Sequence, residues 1–162
     1  MTRGVELSAK VLDEVEGQLE QLYDRTGVTC VMLIDVSGQL ISHKGSVEGV
    51  DLANLAALIA SDMAAVTEMS KLIGESNRVK LRFQEGEKVN LLTCKIRASF
   101  ILTSIFNPLV KIGLVRLYTR EVATKLAPLV SHFEVGERGV AQVMDADFSS
   151  SLADEMERAF SE

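Results

Sequence analysis

The chain has 162 residues, 47% of them apolar, with 23 acidic and 17 basic side chains, a net charge of −6 and two cysteines. That is enough apolar material for one sizeable core with an appendage, and no uninterrupted apolar run approaches the ~18 residues of a membrane-spanning helix. The charge is lopsided: from Glu134 onward eight acids (Glu134, Glu137, Asp145, Asp147, Asp154, Glu155, Glu157, Glu162) face two bases (Arg138, Arg158), while the body up to Phe133 is neutral with 15 of each, which disfavours nucleic acid and anionic membranes and suits a partner with a basic patch.

The opening segment, Met1 to Ser8, lacks the basic-then-apolar layout of a secretion signal. Val11, Val15, Leu19 and Leu22 recur at helical spacing among Glu14, Glu16 and Glu20, so a helix is expected over about residues 6–25, ending near Thr26-Gly27. Thr29 to Ile34 reads as a buried strand, Asp35 to Gly38 as a turn, and Gln39 to Ser42 as the returning strand. After a loop from Gly45 to Val50, Asp51 is placed to cap a long helix running to Gly74. Arg78 to Phe83 and Lys88 to Ile96 flank a turn containing Gly86, and Ser99 to Phe106 is an unbroken apolar strand suited to the centre of a sheet. Cys30 and Cys94 both fall inside strands and fit buried free thiols of a reducing compartment, so a cytoplasmic location is expected.

Asn107-Pro108 breaks the last strand, and Tyr118, Val122, Leu126, Leu129 and Phe133 then mark a third helix that Pro128 should kink or stop early. Beyond Phe133 the chain reads as an acidic loop with Gly136 and Gly139, followed by a short helix from Ser149–Ser151 with Leu152, Met156, Ala159 and Phe160 on one side. The predicted fold is α+β, an α/β sandwich: a five-stranded antiparallel sheet between helices, order α-β-β-α-β-β-β-α, plus a short C-terminal helix. Residues 1–133 form the expected domain and 134–162 an acidic linker with an amphipathic C-terminal helix.

The second helix carries two lines. Leu52, Leu55, Ile59, Met63, Val66, Met69 and Ile73 are the expected core face, while Ala53, Ala57, Ala60 and Ala64 step by three or four and continue to Thr67, Glu68 and Lys71. A row of methyl groups lets another backbone come close; alanine is also simply a good helix former. Small apolar surface left exposed favours the first reading, a face for self-association or partner docking.

Catalytic chemistry is thinly provided for. The chain contains no Gly-x-x-x-x-Gly-Lys-Ser/Thr run, so it is not itself a P-loop GTPase. Two histidines, His43 in a predicted loop and His132 near a predicted helix end, and two cysteines far apart in sequence make a poor metal or nucleophile set, and no cofactor is expected. Asp35 and Ser37 fit turn chemistry. Lys71, Arg78, Lys80 and Arg82 read as a solvated group protecting an edge strand, with a site for acidic partner residues as the alternative.

Taken as a set, Leu33–Ser42, Leu55–Ala60, Lys71–Glu75, Phe83–Glu87 and Gly113–Leu117 resemble the roadblock/dynein light chain family over residues 6–133, in particular its bacterial MglB-type members. The acidic tail ending Ala159-Phe160-Ser161-Glu162 is similar to the C-terminal extension of those members. The resemblance implies a homodimer whose sheets join edge to edge and whose second helices pair on one face, the first and third helices covering the other. It implies a partner, a Ras-like polarity GTPase of MglA type, bound on the helix pair and driven to hydrolyse GTP by repositioning of its own switch residues, without an inserted arginine. It further implies a C-terminal helix contact through Leu152, Met156 and Phe160 that favours nucleotide exchange, and a cytoplasmic protein gathered at a cell pole. The competing expectation is a dimeric adaptor that tethers other proteins.

Overall fold

The computed structural model describes residues 7–75 and 81–160. Helix α1 spans Ala9–Thr26; the Ser8 hydroxyl accepts from the Val11 N–H at 3.4 Å to start it, and Gly27, at φ 73°, ends it in the left-handed conformation. Strands β1 (Cys30–Asp35) and β2 (Leu40–Gly45) follow, then α2 (Leu52–Leu72), β3 (Leu81–Gln84), β4 (Asn90–Ile96), β5 (Phe100–Phe106) and α3 (Ile112–Phe160). All pairings are antiparallel in the order β2-β1-β5-β4-β3, so the expected five-stranded sheet forms with its most apolar strands, β1 and β5, near the middle.

Because side chains alternate along a strand, the sheet has two apolar faces. Cys30, Met32, Ile34, Ile101 and Ile105 pack against Ala56, Ile59, Ala60 and Met63 of α2. The alternate positions, among them Leu33, Leu92, Leu102 and Phe106, are buried on the other face. There α1 contributes Val15, Leu19 and Leu22, and α3 up to Val130 contributes Val115, Val122, Leu126 and Val130. Burial of each such side chain contributes about 1.5–3 kcal/mol relative to exposure. Phe83 and Phe106 stack across this face with ring centroids 6.3 Å apart, and the Arg25 guanidinium lies 5.6 Å from the Tyr118 ring, joining α1 to α3.

The differences from expectation have physical reasons. Strand β2 continues through His43 and Lys44, which pair with Met32 and Val31; an edge strand can carry polar side chains outward, so hydropathy hid its second half. The first three positions expected of β3, 78–80, lie outside the described residues. Pro128 does not stop α3, and the segment 134–148, expected as a loop, is helical backbone on to Phe160. Gly136 and Gly139 cost a helix only about 1 kcal/mol each, less than the surrounding helix formers can offset. Near the proline, Arg97 Nε donates to the Ala127 carbonyl at 3.1 Å and ties that turn of α3 to the β4–β5 turn. The chain divides into two compact units, Met1–Val130 and Ser131–Glu162.

Candidate docking surface

Helix α2 positions the predicted surface. Asp51 caps it by accepting from the Ala53 N–H at 3.0 Å, and Gly74, at φ 81°, follows its end. By length and composition alone α2 could cross a membrane, which the count of uninterrupted apolar runs did not anticipate, yet its Ala56–Met63 face lies on the sheet. Only 22% of its most apolar window is buried, so this helix carries more apolar surface than its own sheet covers.

The small-residue line is divided by the fold. Ala53, Ala57 and Ala64 are exposed with Glu68 and Lys71, Thr67 is half-buried, and Ala60, at 5% exposure, belongs to the core beside Cys30 and Met32. Ala57 has a close neighbour of its own: a Cβ added to Gly38, at φ 96°, would sit 3.0 Å from the Ala57 Cα. At Ala57 the small side chain therefore admits the β1–β2 turn of the same chain. That turn is held by Asp35, 5% exposed, which accepts from Ser37 Oγ at 2.6 Å and from the Gln39 N–H at 2.9 Å, the local bonding expected of both residues.

Four of the predicted residues, Ala60, Ala64, Thr67 and Glu68, meet around a shallow cup of about 240 Å³. Met63 and Ile101 of the core form its floor, and its other walls are Val36 and Ala98 from the hairpin turns and Lys95 from β4, which helix spacing could not have indicated. Thr67 Oγ1 donates to the Met63 carbonyl at 2.8 Å, and Lys71 pairs with Glu68 at 2.9 Å, an exposed pair worth little in stability.

The opposite flank holds larger apolar groups. Leu58, Met69, Leu72 and Ile73 are 60%, 55%, 86% and 82% exposed. This corrects the expected core face, which had included Met69 and Ile73; among the described residues nothing covers these side chains at the last turns of the helix. The sequence did hold a signal for Leu58, an apolar residue off both stripes. Between this flank and the edge of the sheet runs a groove of about 250 Å³ lined by Leu55, Leu58, Asp62, Arg82, Gln84 and Leu91. Arg82 of β3 pairs with Asp62 of α2 across it. Of the expected basic group, Lys71 and Arg82 are thus ion-paired, and Arg78 and Lys80 lie outside the described residues.

Of the C-terminal contact, Met156 is 53% exposed on helical backbone; the side chains of Leu152 and Phe160, like that of His132, lie outside the described residues. Cys30 and Cys94 are buried free thiols on opposite faces of the sheet, and burial pushes the pKa of each up to about 11, with the charge of Arg120 acting against the shift at Cys94. Thiols so held are protonated at neutral pH and poor nucleophiles.

A sandwich with a central β2-β1-β5-β4-β3 sheet, one helix on one face and two on the other, and an incompletely covered α2 defines a class, and the chain belongs to the Roadblock/LC7 domain family, whose model matches residues 14–106. Among solved structures it is similar to MglB of Myxococcus xanthus, with 29% identity, a TM-score of 0.74, and coverage of 80% of this chain and 96% of that one. An MglB described as having a tetrameric arrangement shares 26% identity at TM-score 0.73, covering 82% and 98%. The gliding protein MglB of Thermus thermophilus, at 24% identity, TM-score 0.73 and coverage of 82% and 99%, shares the fold. No curated protein sequence matches the chain significantly.

Proposed function

We propose that this protein is a homodimeric regulator of a small Ras-like GTPase of MglA type, acting in the cytoplasm, concentrated at a cell pole, in cell polarity and motility. The observation that carries the reading is the apolar flank of α2, Leu58, Met69, Leu72 and Ile73, whose Leu58 shares a groove with Arg82 and Gln84 of β3, a strand with one neighbour in the sheet among the described residues. A helix flank and a strand edge side by side suit pairing with a second copy, sheet edge to sheet edge and helix to helix. Membership of the Roadblock/LC7 family and similarity to an MglB support the choice of partner.

In this reading the flank bearing Ala53, Ala57, Ala64, Thr67, Glu68 and Lys71 receives the GTPase. The regulator donates no catalytic group; it binds one arrangement of the GTPase switches better than the other and moves the population. Taking an equilibrium from 1:99 to 99:1 needs about 5.5 kcal/mol of differential binding. The C-terminal helix, with Leu152, Met156 and Phe160, is the second contact, favouring nucleotide exchange.

The test is single-turnover GTP hydrolysis by the GTPase with and without two equivalents of this protein. Acceleration that Ala64→Arg abolishes supports the proposal. Tight GTP-dependent binding without acceleration overturns it in favour of a dimeric adaptor.

A further inference from the structure

We infer that the start of α3 seats the acidic C-terminal segment, residues 149–160, of a second copy of this chain. Leu109, in the loop leading into the helix, is 90% exposed; Leu114 and Leu117, one turn apart on the side of α3 away from Val115 and Thr119, are 38% and 60% exposed. These leucines sit among bases: from Asn107 to Lys125 the chain has Lys111, Arg116, Arg120 and Lys125 against Glu121, a net charge of +3. Lys125 pairs with Glu121, whereas Lys111 and Arg116 are exposed and make no ion pair among the described residues.

The C-terminal segment has the complementary chemistry. Leu152, Met156 and Phe160 repeat every four residues on one line of helical backbone, with Met156 exposed, while Asp154, Glu155, Glu157 and Glu162 against Arg158 give residues 149–162 a net charge of −3. The other exposed apolar surface is electrostatically wrong for it: Asp51–Glu75, containing α2, also carries −3, as does α1. Like charge would repel the segment from α2, and opposite charge draws it to α3, with leucine burial supplying affinity once there. The interaction should weaken with salt, since screening acts within ~8 Å at physiological ionic strength. This inference does not depend on the GTPase reading.

The test places a photo-reactive benzophenone amino acid at Leu117 of the full chain, and irradiates an equal mixture of heavy-isotope and unlabelled protein without any GTPase. Mixed-isotope cross-links from position 117 to residues 149–160 are expected, with yield falling at least fivefold in Met156→Glu, in the pair Lys111→Glu and Arg116→Glu, and in high salt. All three replaced residues are exposed, and circular dichroism verifies that each variant folds. Cross-links within one isotope only, cross-links that miss the segment, or a yield indifferent to these changes would overturn it.

Discussion

Replacing Ala60 and Ala64 separately by arginine distinguishes two positions that look equivalent on a helical wheel. Ala60 is 5% exposed and faces the sheet, in the cluster with Cys30, Met32 and Ile101, whereas Ala64 is exposed one turn on. At position 60 the longer side chain overpacks the core, costing about 1–3 kcal/mol, and its charge is partly desolvated at a cost of several more. Against a typical stability of about 5–15 kcal/mol, with about 2–4 °C of melting temperature per kcal/mol at this size, Ala60→Arg should lower the melting temperature by at least about 10 °C or prevent folding. At position 64 the change falls on the surface and should stay within about 0.5 kcal/mol, or about 2 °C. Thermal melts followed by circular dichroism and calorimetry decide it. Equal melting temperatures would refute the reasoning and mean that an arginine at 60 escapes through the cup beside Thr67 and Glu68 instead of entering the core.

Leu58→Asp and Leu72→Asp should each weaken the homodimer by about 2–4 kcal/mol, counting both copies, or about 30- to 1000-fold in Kd, and lower the concentration-dependent melting temperature with it while the folded circular dichroism spectrum is kept; sedimentation equilibrium measures it. Both thiols should react with a disulfide reagent at neutral pH only as the protein unfolds. Because burial raises their folded pKa to about 11, above the 9.0 of an ordinary thiol, the associated stability is complete below pH 9 and falls as pH rises to 11, which denaturant titrations across that window would record. Deleting residues 136–162 should leave the first unit folded and its pairing through α2 in place, removing only the segment's own contact with a second copy, while altering nucleotide release from the GTPase several-fold; loss of folding instead would make the segment structural.

The order of elements was readable from the sequence because each has a local cause: Asp51 at a helix start, Gly38 at a hairpin, alternation or solid apolarity in the strands. Which side of α2 faces inward was only half readable. Ile59 and Met63 belonged to the core as expected, but Ala60 joined them against Cys30, Met32 and Ile101, a placement that tertiary packing sets and helix spacing does not. Lys95 and Val36 reach the cup from strands and turns distant in sequence, and only tertiary packing brings them there. The helical segment 134–148 was missed because its glycines are breakers by propensity, a weak prior that context can override.

The neighbours at the centre of the sheet bear on how the molecule is made. Strands β1 and β5 pair from Cys30↔Ile105 to Asp35↔Phe100, roughly seventy residues apart in sequence, whereas β1–β2 and β3–β4 are local hairpins. The hairpins and α1 can form while the chain is still emerging, but the central pairing waits until Phe106 has been synthesised, and closure of that long loop is the slow, non-local step. Until then both edges of β1–β2 and the apolar flank of α2 stand open together. During synthesis, partner choice for this chain is therefore a race between β5 and any neighbouring copy offering a strand of its own.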